Sequence, residues 1–286
     1  MSEITIRRAT DADVPAAGQI CFEAFHAINT AHNFPPDIPA PEMATGFLSV
    51  LFSHPGFYCV VAEQDGRIIG SNCLDERSPV AGIGPITIDP ASQNHGVGRI
   101  LMKAVIDRAA DRNFPGVRLV QAAFHNRSLS LYTKLGFDTR EPLSCMQGTK
   151  IGIQIEGCTV RPAETRDLDA CNRLCRSVHG HDRGGETADA IKEKTASVVE
   201  RHGRITGYAS QLGLFGHAVA ESNLDLEALI AAAESFDGPG ILMPTRNAEL
   251  FRWCLAHGLR VVQPMTLMTM GLYSEPSGAY LASVLY

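Results

Sequence analysis

The opening residues of the chain return past its midpoint, and that limits the fold to a duplicated architecture. Arg7, Ala9, Asp13 and Ala16 recur in the same order and spacing as Arg161, Ala163, Asp167 and Ala170. In both copies a short strand should lead into a helix, capped by Thr10 or Glu164 with an Asp in the first turn. The hairpin turn Asp65-Gly66, followed by Gly70, is matched by Gly203 and Gly207. Near the end of each copy, the run from His125 to Phe137 is echoed by Arg246 to Leu259. The offset shrinks along the chain, so the second copy is the shorter. At 286 residues the length suits two domains. We place them at 1–150 and 157–286. Ile151, Ile153 and Ile155 make the connector apolar, so the halves should pack together.

Composition excludes several roles. Apolar residues make up 45% and charged residues 20%, enough for an ordinary core. A net charge of −6 argues against a nucleic-acid partner and leans toward a cationic one. No apolar run reaches the length of a membrane span, and the residues around Glu3, Arg7 and Arg8 contain no signal-peptide core. The eight cysteines are scattered with no Cys-x-x-Cys pair, which reads as a reduced, cytoplasmic protein. His179 and His181 are too few donors for a metal site, so no metal is expected.

The first copy carries one unit with chemical content. An apolar strand (residues 81–89) precedes a turn, and Gly96-x-Gly98 opens a helix expected over 97–112. A helix start leaves backbone N–H groups unpaired at the positive end of its dipole, and glycine lets a bulky anion come close. The Walker loop is excluded because no Gly-Lys-Ser/Thr follows. The dinucleotide fingerprint fails because Leu101 stands where its third glycine belongs.

Gln93-x-x-Gly96-x-Gly98 resembles the acyl-CoA pyrophosphate motif of the GNAT N-acetyltransferases. The family's later landmarks follow in order: a strand over 117–124, Asn126, and Tyr132 ahead of Leu135-Gly136-Phe137. The resemblance covers about residues 3 to 150. It implies an α/β (α+β mixed) fold of two tandem GNAT-like domains, each a mixed, mainly antiparallel sheet flanked by helices. It also implies a splayed sheet that admits the pantetheine arm of acetyl-CoA. On that pattern Ile86, Thr87 and Ile88 would bind the arm. The loop Gln93, Asn94, His95, Gly96, Val97, Gly98 and Arg99 would take the pyrophosphate, and Asn126 the far end of the arm. Tyr132 would protonate the leaving thiolate, and the Ile88 amide would stabilise the oxyanion.

The second copy lacks the cradle. Glu221, Asp225 and Glu227 surround the corresponding helix start, which Ser222 or Asn223 would cap, and acidic groups there repel a pyrophosphate. Trp253 or Cys254 is the nearest counterpart of Tyr132. The expected activity is therefore acetyl transfer to a primary amine of a small molecule, by the first copy alone. A non-catalytic acyl-CoA sensor is the alternative, as is a protein N-terminal or lysine acetyltransferase. No Glu precedes Asp89 on its strand, so the general base is open among His26, His32, His54 and His125, with His54 and His32 ahead. The acceptor, the acyl chain and the oligomeric state, homodimer included, are not legible in the sequence.

Overall fold

In the computed structural model, residues 3–285 are described. The first half runs β1 (Thr5–Arg8), α1 (Val14–Ala31), α2 (Pro41–Ser53), β2 (Phe57–Gln64), β3 (Arg67–Asp75), β4 (Ala81–Ile83), β5 (Thr87–Ile88), α3 (Val97–Asp111), β6 (Gly116–Ala122), α4 (Asn126–Lys134) and β7 (Asp138–Gln147). The second runs β8 (Thr159–Pro162), α5 (Leu168–His179), α6 (Gly184–Glu193), β9 (Ser197–Arg201), β10 (Arg204–Ala209), β11 (Ala218–Ala220), α7 (Asn223–Ala232), β12 (Ile241–Pro244), α8 (Ala248–Ala256), β13 (Arg260–Gly271) and β14 (Ala279–Leu281).

The repeated opening builds the same polar joint twice. Arg7 binds Asp13 at 2.8 and 2.7 Å and Glu63 at 2.9 Å, tying β1 to the turn before α1. Arg161 does the same with Asp167 at 2.7 and 2.9 Å and with Glu200. Register agrees as well, with Thr5 opposite Glu63 and Thr159 opposite Glu200. Thr10 and Asp13, then Glu164 and Asp167, form the paired caps.

Alternation along β2 separates two cores. Val60 joins Leu101 and Met102 of α3 and Tyr132 of α4 on one face. Val61 joins Ala17 and Cys21 of α1 and Leu48 of α2 on the other.

The strands do not divide at the connector. The nine-stranded sheet runs β1-β2-β3-β4-β6-β13-β7-β12, with β5 on β3, and the five-stranded sheet runs β14-β11-β10-β9-β8. Strand β13 of the second half lies between β6 and β7 of the first, and β12 pairs with β7. The first half thus lends β7 to a place between β13 and β12, and the second lends β13 to a place between β6 and β7, an exchange that strand patterns do not encode. The chain's tail continues the stitching: Ala282 N–H donates to Leu242 O, and a Cβ on Gly82 of β4 would lie 2.1 Å from Leu285 O.

Two further expectations are corrected. The strand expected over 81–89 is interrupted, because Gly84 adopts φ +143° and Pro85 has no N–H for a ladder. The reduced-cysteine reading fails at Cys59 and Cys73, which form a disulfide. They are 14 residues apart in sequence yet directly opposite across β2 and β3. Among the described residues no helix is long and apolar enough to cross a membrane, and no group of three His, Cys, Asp or Glu could hold a metal ion.

The exchange carries a prediction. Residues 1–150 expressed alone would leave β6 unpaired on one side and β7 on both, with their apolar faces uncovered. That fragment should aggregate, or melt at least about 10 °C below the full chain. A soluble monomer as heat-stable as the full chain would contradict the shared sheet.

Candidate active site

The site begins where two strands part. Strand β4 pairs in parallel with β6 at Ala81–Val117 and Gly82–Arg118, whereas β5 pairs with β3 at Ser71–Thr87 and Gly70–Ile88. Beyond Gly84 a gap therefore opens between β5 and β6. Asp89 N–H donates to Ile69 O at 2.9 Å, and backbone groups alternate along a strand. The Ile88 amide consequently faces away from β3, toward the gap.

A cavity of about 870 Å³ fills this gap. Ile86, Thr87, Ile88, Gln93, Asn94, Gly96, Val97, Gly98, Arg99, Asn126 and Tyr132 all line it, from the β5 stretch, the turn into α3, and α4. His95 is exposed and lies outside the lining. Gly96 caps α3 with φ +85°, in the left-handed region, and a Cβ there would meet nothing within 4 Å. Conformation, not crowding, therefore selects glycine at 96. At Gly98 a Cβ would sit 3.1 Å from the end of the Ile88 side chain and 3.4 Å from that of Leu131, so these side chains would have to shift slightly.

Sequence reasoning missed Arg127. It donates to Gln93 Oε1 at 3.1 Å and Asn94 Oδ1 at 3.3 Å, bracing the 93–94 turn from the start of α4, and lines the cavity as a second cation besides Arg99. It also missed Gln121 on β6, which lines the cavity at 5% exposure. Neither amide atom of Gln121 has a partner among the described residues, so a donor and an acceptor are left for a bound molecule.

Tyr132 lies in the α3–α4 core, 6% exposed, with its ring edge-on to Phe137. Burial pushes its phenol up to about 12, against a smaller opposing effect from the Ser128 hydroxyl. Of the candidate bases only His125 lines the cavity. Its Nδ1 caps α4 by accepting from Ser128 N–H at 3.0 Å, and burial together with Arg127 and His32 keeps the ring below its ordinary pKa. His54 is turned elsewhere, with Nε2 3.3 Å from Asp189 and Nδ1 accepting from Gly56 N–H. His32 is exposed against Phe124, and His26 is exposed beside Phe22. The preference for His54 and His32 is thus overturned by their placement.

The far end of the cavity lies on the α1–α2 face and has opposite polarity. Asp37, between α1 and α2, accepts from Gln263 Nε2 of β13 at 2.6 Å. Burial raises this carboxyl above the usual range, although hydrogen bonds from Gln263 and Asn29 oppose the rise. Leu214, Phe215, Met265 and Val284 bring second-half side chains to the same end.

The second half shows how the equivalent gap is closed. Glu221 N–H donates to Thr206 O at 2.9 Å, as Asp89 does to Ile69, and Gly207–Ala220 matches Gly70–Ile88. Ala220 is therefore the counterpart of Ile88. Strand β14 lies along its open side, pairing Ala218 with Leu281 and Ala220 with Ala279. The acidic helix start is neutralised internally: Asp225 takes Arg201, Thr206 and Ser222, and Glu221 takes Arg204. Gly258 and the caps at Asn247 and His125 align Cys254, fully buried, with Tyr132.

The first half thus has a sheet split beside a glycine-opened helix, and in the second half the chain's own strand fills the equivalent split. Residues 23–137 match the acetyltransferase (GNAT) family. A mycothiol acetyltransferase of Nocardia farcinica is 40% identical over 63 residues, 22% of this chain and 21% of that protein. One from Thermomonospora curvata is 33% identical over 78 residues, 27% of this chain and 26% of that protein. The chain spans roughly a fifth to a third of the length of the curated relatives it matches. A solved chain from Pyrococcus horikoshii superposes with TM-score 0.76 at 18% identity, covering 97% of this chain and 92% of its own. A GCN5-related N-acetyltransferase from Sphaerobacter thermophilus gives TM-score 0.64 at 14% identity, covering 95% and 96%. At these identities the likeness is one of fold, and it extends over both halves.

Proposed function

We propose that the chain is an acetyl-CoA-dependent N-acetyltransferase that acetylates a primary amine of a small molecule. The observation that carries this reading is a single cavity with a phosphate-type cradle at one end and a carboxylate at the other, joined through a gap between strands. Residues 1–150 would be the catalytic domain and 157–286 a degenerate copy. The pantetheine arm would lie along the gap edge of Ile86–Ile88 as an added strand, the place that β14 takes beside β11. The amides from Asn94 to Arg99 would hold the pyrophosphate at the start of α3. Attack by the amine forms the C–N bond, and the oxyanion would be met by the Ile88 amide. The nitrogen would give up its extra proton to water, the C–S bond would break as Tyr132 supplies the thiolate's proton, and Tyr132 would recover a proton from solvent. Tyr132 and the acceptor-side chamber favour an enzyme over a sensor, since a sensor requires neither. The relatives' names support acetyl transfer.

Calorimetry tests the donor assignment. One acetyl-CoA should bind per chain, because β14 fills the second gap. Two comparable sites per chain, or none, would refute the reading. Thiol release in an amine screen tests the transfer itself.

A further inference from the structure

We propose that the cavity wall carrying Asp37 and Asn29 docks the ammonium group of an acceptor whose body is apolar, and that the C-terminal half closes this chamber. The inference rests on the acetyltransferase reading and adds the acceptor's chemical class.

The carboxylate is built in. Gln263 Nε2 donates to Asp37 Oδ1 at 2.6 Å and comes from β13, the strand exchanged from the second half. Asn29 is 1% exposed and lines the same cavity. Its Nδ2 donates to Pro35 O at 3.0 Å, which leaves Oδ1 buried with no partner among the described residues. A carboxylate beside an unpartnered carbonyl oxygen asks for a group with several N–H donors and a positive charge. A primary ammonium has three donors and no acceptor.

The rest of the wall sets the body. Phe25, Ile28, Ile38 and Phe47 come from the first half, and Phe215 and Val284 from the second. The rings of Phe47 and Phe215 meet at 4.5 Å, so neither half completes the chamber alone. A polyhydroxylated amine would leave its hydroxyls unpaired against these side chains, which is costly. A long acyl chain on the donor would suit the apolar side chains, but it would strip water from Asp37 and offer no compensating charge.

Titration calorimetry on the full chain, with and without saturating CoA, tests this with 2-phenylethylamine as probe. Wild type should bind it more tightly than glucosamine. Asp37→Asn, which keeps the side-chain shape, should weaken binding by at least about 30-fold, and Phe215→Ala by roughly 10-fold. Acetyl-CoA binding should persist in both variants, which also shows that they are folded. Equal or tighter binding of glucosamine, no binding of the probe, or indifference to Asp37→Asn would overturn the proposal. So would displacement of the probe by the chain of hexanoyl-CoA. Failure of wild type to bind acetyl-CoA would instead refute the acetyltransferase reading, and the probe titration without CoA would still decide the docking site.

Discussion

Tyr132→Phe is expected to lower turnover by roughly 10²-fold or more, with acetyl-CoA affinity unchanged. The substitution keeps the ring that packs beside Phe137 and removes only the hydroxyl. Burial has two consequences for that hydroxyl. Held up to about 12, the phenol keeps its proton across any working pH, so the acid form is always present. The rate should show no decline from Tyr132 as pH rises through 8 to 10, whereas an ordinary tyrosine would begin to ionise near 10. The same burial makes full transfer harder. Giving a proton from a group at about 12 to a thiolate of ordinary pKa about 8.5 is uphill by on the order of 5 kcal/mol. If Tyr132 is the acid, transfer would therefore have to coincide with C–S cleavage, while the departing sulfur is still losing its bond. Stopped-flow thiol release across pH 6–10 would measure both effects. An unchanged rate in Tyr132→Phe would leave the residue as packing and return the sensor reading to favour.

Gly96→Glu should reduce acetyl-CoA affinity by roughly 10²-fold or more, through two additive causes. At φ +85° an L-residue is strained by about 1–3 kcal/mol, which distorts the turn whose amides would face the pyrophosphate. The carboxylate would also occupy the positive end of α3, as Asp225 occupies the start of α7. Gly96→Asn separates the causes, because Asn tolerates the left-handed region and carries no charge. It should bind acetyl-CoA nearly as wild type does. Calorimetric affinity of Gly96→Glu equal to wild type would remove the loop from the donor site.

Legibility in the sequence followed contact range. The caps at Thr10 and Glu164, the hairpin at Asp65-Gly66, and the helix opened by Gly96 each close within a few residues, so local propensity and spacing specified them. The turn into α3 was legible for the same reason, and the repeat revealed the duplication. Asp37 gave no signal, because its partner Gln263 lies on the other side of the chain's connector. His54 misled because nothing near it in sequence shows that Asp189 claims its ring.

By itself, then, the sequence determined two copies of a strand–helix plan, a glycine-opened helix start in the first, and an acidic one in the second. Tertiary structure alone decided that β13 sits between β6 and β7, that β14 closes the second gap while the first stays open, and that Cys59 meets Cys73. The physical reason lies in the backbone. Strand pairing is made by N–H and C=O groups that every residue except proline carries, so a strand's residues say that it will pair but not with which partner. Partners are chosen by which apolar faces remain uncovered once the helices have packed, and that is a property of the assembled chain.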